Sequence, residues 1–260
     1  MPGSLAAHWL DIDPERMERY EAMYVWNPAT EHYYAAAQLA SGQVVADFGC
    51  GPGHAALEFA RRVGPEGHVH ALDINAEFIR RTRARAEGAG LSNRITAHLL
   101  TGTKLPIADA MLDRVIARNT IIYVPDPAQT IAEFRRVLRP GGLAHAIEGD
   151  WGLTAAAPVP SQDWKDFIQA ASIEWRHPEI GRQLAGHFRT AGFPSVAVQV
   201  LTMPDTTGRL RKMIDTIADG ARKGGMDPAR IEALLAAVDA GLVDGRYLVV
   251  VPQFIVTGTA

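Results

Sequence analysis

The chain has 260 residues, 47% of them hydrophobic and 21% charged, with a formal net charge of −3 at pH 7. This is the composition of a soluble globular protein, long enough for one large domain with insertions or a core with a small cap. The acidic balance argues against a nucleic-acid backbone as partner, the single cysteine, Cys50, excludes an internal disulfide and a multi-cysteine metal site, and no apolar run is long enough to cross a membrane. The first residues turn acidic and polar too early for a secretory leader. A cytoplasmic protein without membrane or nucleic-acid partners is expected.

Residues 13–40 read as helical, with Asp13 as N-cap and Pro14 at the first helical position. Strands and helices then alternate. "QVVADF" (43–48) is a buried strand, "HAALEFARRVG" (54–64) an amphipathic helix, and "GHVHALDI" (67–74) a second strand. "NAEFIRRTRARAEGAG" (75–90) opens on an Asn cap and closes on glycines. "RITAHLL" (94–100), "LDRVIAR" (112–118) and "LAHAIEGD" (143–150) are further strands. Before the last of these lies a helix with Asp126 as cap, Pro127 at its first position and Pro-Gly-Gly as its stop. Beyond Asp150 we expect helices over 161–191 interrupted by Pro178, a strand at 195–203, two helices within 207–241, and one long strand over 246–260. Pro252 has no N–H, which predicts an edge or a bulge in that last strand. The pattern implies an α/β fold with a doubly wound, mainly parallel, seven-stranded sheet. Residues 1–40 would form a helical lid, 41–150 a ligand-binding core, and 151–260 the remaining strands with inserted cap helices in the same domain.

The stretch "VVADFGCGPG" carries the first functional signal. A strand feeding a glycine turn and then a helix N-terminus suits a polar ligand, because backbone N–H groups can point outward and glycine admits close approach. Gly49, Gly51 and Gly53 are those positions. Pro52 removes one donor, and no Gly-Lys-Ser/Thr follows, so this is not a P-loop. Asp47 stands at the inner end of a buried strand, where a charge is costly unless something uses it. Asp73 ends the second strand, twenty residues past Gly53, where an acid can accept both hydroxyls of a ribose.

"VVADFGCGPG" resembles motif I of the class I S-adenosylmethionine-dependent methyltransferases. "HVHALDI" is similar to their acidic second motif, "LPIADAMLDRVIA" to the region around their fourth strand, and "FRRVLRPGG" to the helix and turn before the fifth. The resemblance runs in order over about residues 40–150 and is strongest to the small-molecule branch around the quinone-biosynthesis C-methyltransferases. It implies a Rossmann-like methyltransferase fold and S-adenosylmethionine as cofactor. Gly49 and Gly51 would cradle the methionine end, Asp47 would read the α-ammonium, Asp73 would hold the ribose, and Ile74 would pack on adenine. Arg118 and Asn119 would line the methionine side. Thr101, followed by Gly102, stands where the family usually has an acid that accepts the adenine amino hydrogen; a neutral acceptor there is weaker.

The acceptor side is less marked. Ligands of open α/β sheets sit outside the carboxyl ends of the strands, which points to Tyr123, Asp150 and Trp151. Among the cap helices, "EWRHPEIGRQL" offers His177 and Arg182. His177, Tyr123 and Asp150 are the candidate proton-transfer groups, although a histidine before Pro178 also reads as an ordinary surface residue. Tyr24, Trp26, Trp151 and Arg182 are candidate contacts for a small methyl acceptor. The aromatic-rich stretch from Tyr20 to Tyr34 would favour a planar, apolar one, or be plain core packing. Two other functions share these motifs. A nicotinamide-dependent oxidoreductase uses the same glycine turn and Asp73, but has no need of Asp47. A cofactor-binding protein without methyl transfer, pericyclic or scaffolding, finds its support in Thr101.

Overall fold

The computed structural model describes residues 7–260 apart from 11 and 13; the cap expected at Asp13 lies outside the described residues. Helices α1 (Ala7–Leu10) and α2 (Pro14–Tyr24) lead to a 3-10 segment, Pro28–Ala37. The expected helix over 13–40 is therefore broken. Asn27 adopts an extended backbone there and its side chain accepts from Ala29 N at 2.9 Å, starting the chain again. Next come β1 (Val44–Phe48), α3 (His54–Val63), β2 (His68–Asp73), α4 (Ala76–Gly88), β3 (Ile95–Leu99), β4 (Leu112–Arg118), α5 (Pro127–Val137) and β5 (Leu138–Gly149). The chain continues through β6 (Ala155–Ala157), α6 (Ser161–Ala171), α7 (Ile180–Thr190), β7 (Ser195–Leu201), α8 (Arg211–Lys223), α9 (Pro228–Asp244), β8 (Leu248–Val250) and β9 (Gln253–Thr259).

Seven strands form one sheet in the order β3-β2-β1-β4-β5-β9-β7. The pairs β1–β2, β1–β4, β2–β3 and β4–β5 are parallel. The caps fall where the side chains predict them: Asn75 accepts from Phe78 N and Asp126 from Gln129 N, both at 3.0 Å. Because β1 to β4 are mutually parallel neighbours, their carboxyl ends come out side by side. Phe48, Asp73, Leu99 and Arg118 are the last residues of those strands.

Two further departures from the sequence pattern concern the strands. Strand β5 begins at Leu138, ahead of the expected 143, and the Pro-Gly-Gly segment bulges between the pairs Leu112–Leu138 and Arg114–Leu143. The long last strand is divided at Pro252: β8 pairs antiparallel with β6 in a separate two-stranded sheet, while β9 lies between β5 and β7. β9 is thus internal and β7 is the edge; the missing N–H of Pro252 is accommodated by the break rather than by an edge position.

Contacts group the chain into two compact units. One runs to Ile147 and takes in Gln183–Val198 and Ile255–Ala260; the other comprises Glu148–Arg182 and Gln199–Phe254. The sequence pattern put its boundary at Asp150 and kept 151–260 with the core; by contacts the boundary is at Ile147 and the later residues are shared between the units.

The first unit is packed tightly enough to be sensitive to a single methyl group. His145 is fully buried, its ring nitrogens 2.8 Å from Thr257 Oγ1 and from Tyr33 O, and burial depresses its pKa to about 4. A Cβ on Gly258 would lie 2.5 Å from Phe188 Cδ1 and 2.7 Å from Phe193 Cδ1. We expect Gly258→Ala to lower unfolding free energy by about 1–3 kcal/mol, the usual cost of overpacking. Denaturant titration checks this, and an unchanged midpoint would contradict it.

Candidate active site

A cavity of about 940 Å3 opens at the carboxyl ends of the strands, entirely within the first unit. The end of β1 and the turn after it supply Asp47 to Gly51, the start of α3 supplies His54, the end of β2 supplies Asp73 and Ile74, and the end of β3 supplies Leu99 to Thr103. Arg118, Asn119, Thr120 and Tyr123 follow β4, while Trp9, Leu10, Tyr24 to Pro28 and Tyr34 come from the N-terminal segment. That segment is tied down next to Asp73: Asn75 Nδ2 donates to Trp9 O at 2.7 Å. The Trp9 ring meets Tyr20 and Tyr123 at centroid distances of 4.7 and 4.9 Å, and Trp26 stacks on Tyr34 at 5.1 Å. Glu21 of α2 pairs with Arg81 and Arg85 of α4, each at 2.9 Å.

The three glycines have different jobs. All have positive φ, +74° at Gly49, +51° at Gly51 and +89° at Gly53. A Cβ on Gly49 would lie 2.2 Å from Thr120 Oγ1, and one on Gly53 would lie 2.6 Å from Thr82 Oγ1, so these two let the protein pack on itself. Only Gly51 of the three has open space where a Cβ would go. Gly53 is not among the cavity-lining residues. The expected outward row of N–H donors is also absent: Gly49 N and Cys50 N both donate to Leu72 O, at 2.8 and 3.0 Å, Gly51 N donates to Asp73 Oδ2 at 2.9 Å, and Gly53 N donates to Cys50 O at 3.0 Å. With Pro52 donating nothing, the turn cannot act as an anion cradle.

What it presents is a pair of acids. Asp73 accepts from Gly51 N and Asn75 N, both at 2.9 Å, and burial raises its pKa to about 6. Asp47 is 5% exposed. It receives a hydrogen bond from Ala56 N, but its Oδ2 has no partner. Burial, followed by the charge of Asp73, lifts its pKa to about 7. The positive counterpart is Arg118, which is mostly buried; its Nη1 donates to Tyr34 Oη at 3.2 Å, its guanidinium lies 5.3 Å from the Tyr33 ring centroid, and its Nε has no partner. Asn119 holds a left-handed backbone, φ +51°, which asparagine tolerates better than most residues. Apolar surface at Ile74 and Leu99, 36% and 43% exposed, flanks the acids, with exposed Thr101 and Gly102 beyond.

Of the candidate residues, Asp47, Gly49, Gly51, Asp73, Ile74, Thr101, Gly102, Arg118, Asn119, Tyr123, Tyr24 and Trp26 line this one cavity. Asp150, Trp151, His177 and Arg182 do not; they belong to the second unit. Asp150 is fully buried and accepts from Arg182 N, Nε and Nη2 at 3.1, 2.7 and 2.6 Å, which occupies both its oxygens in a structural ion pair. Trp151 stacks on Trp175 at 4.3 Å and 7°, and His177 O accepts from Ile180 N at 3.0 Å at the start of α7. Sequence reasoning missed His54 and Trp9. His54 is the first residue of α3 and lines the cavity, its Nε2 is buried without a partner, and burial lowers its pKa. Its adjacency to the glycine turn was the available signal.

The raised pKa of Asp47 has a direct consequence. Between about pH 4 and pH 7 the folded state holds a proton that the unfolded chain releases, so this residue's contribution to stability falls as pH rises through that window. We expect Asp47→Asn to melt above the wild type at about pH 7.5, with the gap closing toward about pH 5. Thermal scans of the ligand-free protein check it; a gap independent of pH would contradict the assignment.

A family profile described as a methyltransferase domain matches residues 45–142. The chain is 30% identical over 204 residues to a ubiquinone/menaquinone biosynthesis C-methyltransferase of Bordetella avium, covering 78% of this chain and 72% of that protein. It is 34% identical over 164 residues to a 37.1 kDa protein in a transposon of Streptomyces fradiae, where the match covers 62% of this chain but only 46% of the other. Among solved structures, a SAM-dependent methyltransferase from Aquifex aeolicus superposes with a TM-score of 0.55 at 19% identity, over 74% of this chain and 93% of that one, a likeness of fold. The ordered motifs, the strand order, the paired acids and these relatives agree: the chain belongs to the class I S-adenosylmethionine-dependent methyltransferases, whose cofactor is S-adenosylmethionine.

Proposed function

We propose that this protein transfers the methyl group of S-adenosylmethionine to a small apolar or aromatic acceptor held in the same cavity. The observation that carries this reading is Asp47: a buried carboxylate with one unpartnered oxygen, on the wall of a cavity, fits a cationic amino group. In this reading Asp47 binds the α-ammonium, Arg118 faces the α-carboxylate through its unpartnered Nε, and Asn119 lines that end. Asp73 accepts from the ribose hydroxyls with the lone pairs left free by Gly51 and Asn75. Ile74 and Leu99 flank the adenine, and the Thr101 hydroxyl takes its amino hydrogen. Gly51 leaves room for the methionine tail.

When bound, the cofactor supplies a methyl group already activated by its positive sulfur. The protein's task is then to bring a nucleophile into line and to keep water out. Trp9, Tyr24, Trp26, Tyr34 and Tyr123 supply an aromatic wall suited to a planar acceptor. Where the acceptor carries a proton at neutral pH, Tyr123 and His54 are two of the cavity groups able to hydrogen-bond it.

Calorimetry with S-adenosylhomocysteine tests the cofactor assignment. We expect micromolar binding, weakened in Asp73→Ala by roughly 1–3 kcal/mol, the range for hydrogen bonds to a charged group. No binding of either cofactor form to the wild type would overturn the proposal, and an unchanged dissociation constant in Asp73→Ala would remove that residue from the site. Transfer of label from methyl-labelled cofactor to a panel of phenols and quinols tests the acceptor class. Tight binding without transfer to any acceptor would instead favour a cofactor-binding role without methylation.

A further inference from the structure

Three histidines that the cofactor site does not use stand together on β2 and β3. His70 pairs with Thr96 and Leu72 with His98 in the parallel register, so His68, His70, Thr96 and His98 share one face of the sheet. The residues between them, Val69, Ala71 and Ala97, point the other way and are buried, while Thr96 is exposed and the three imidazoles are half-buried. The connection from β3 to β4, residues 100–111, contains no helix.

The rings are in contact. His70 Nδ1 lies 3.0 Å from His98 Nε2, and the ring centroids of His68 and His70 are 4.9 Å apart. His68 Nε2 is itself 2.8 Å from Thr96 Oγ1. A hydrogen bond between two neutral imidazoles requires one nitrogen to donate and the other to offer its lone pair. Two imidazole nitrogens bound to one tetrahedral zinc, at roughly 2.0–2.1 Å each, would be about 3.3 Å apart. The observed gap is within a few tenths of an ångström of that spacing.

We infer that His70 Nδ1 and His98 Nε2 form a divalent transition-metal site, for zinc or copper, that clamps β2 to β3. Binding needs a tautomer change and a small separation and tilt of the two rings: the proton shared between them moves to the outer nitrogen of its own ring, and both inner lone pairs turn to the metal. Burial disfavours the protonated form of all three histidines. Among the described residues no group of three or more His, Cys, Asp or Glu side chains is assembled for a metal, so the protein gives two ligands and water completes the shell. The Arg83 guanidinium, which depresses the His98 pKa and donates to Ala97 O, opposes a dication. Affinity is therefore micromolar rather than that of a structural zinc centre. The site lies just upstream of Asp73 and Leu99, so a bound ion would stiffen the two strand ends that wall the cavity.

The test is zinc titration calorimetry on the full chain without an affinity tag, at neutral pH and without cofactor. We expect one zinc per chain, with affinity reduced about tenfold or more in His70→Ala and in His98→Ala, and retained within a few-fold in His68→Ala. His98→Gln, which keeps a polar side chain against His70, replaces an alanine variant that fails to fold. Absence of saturable zinc binding to the wild type overturns the inference, as does equal zinc affinity in wild type and both key variants. Cofactor binding is measured separately on the same proteins, so failure here is distinguishable from failure of the proposed function.

Discussion

The structure is organised around one costly placement: a carboxylate, Asp47, buried at the end of a central strand with an oxygen left unpartnered. Burial and the second acid, Asp73, both push against its ionisation. In the free protein the residue therefore sits near its titration point at physiological pH. A ligand that brings a positive charge to Oδ2 removes both penalties at once. Under the proposed function, the free energy withheld from folding at this position becomes available for binding, which would account for an acid where an apolar residue would stabilise the sheet better.

The glycine turn serves that placement in an unexpected way. Its N–H groups are not directed at a ligand; they fasten β1 to β2 through Leu72 O and orient Asp73 through Gly51 N. Gly49 and Gly53 let Thr120 and Thr82 pack against the turn, and Gly51 leaves the opening. Under the proposed function, recognition is left to side chains of both signs, Asp47 and Asp73 against Arg118. That arrangement suits a zwitterionic tail and a ribose, and it disfavours a pyrophosphate, which would meet two acids and few donors.

Much of this was legible in the sequence because local rules and tertiary structure agree there. The caps at Asn75 and Asp126, the strand bounds of β4, and the acids at the ends of β1 and β2 all follow from side-chain chemistry at fixed positions in a strand–turn–helix unit. Where long-range packing decides, the sequence was silent. Pro252 suggested an edge or a bulge, whereas the structure breaks the strand there, an outcome that depended on the partners of β8 and β9. Asp150 stands beside a strand end much as Asp73 closes one, yet Arg182, distant in sequence, takes both its oxygens. Trp9 and His54 join the cavity through contacts that no periodicity encodes. The role of Gly53 could not be read either, because the need for glycine comes from Thr82 on another helix.

The central claim is that Asp47 exchanges a proton for the ammonium of the cofactor. It is tested most directly by measuring proton release when S-adenosylhomocysteine binds, by calorimetry at about pH 6.5 in buffers of different ionisation enthalpy. With Asp47 titrating near 7 in the free protein and fully ionised beside a cation, the wild type must release a large fraction of a proton per ligand, and Asp47→Asn must release much less, the remainder coming from Asp73 with its pKa of about 6. Binding without proton release in the wild type, or equal release in both proteins, would contradict the account.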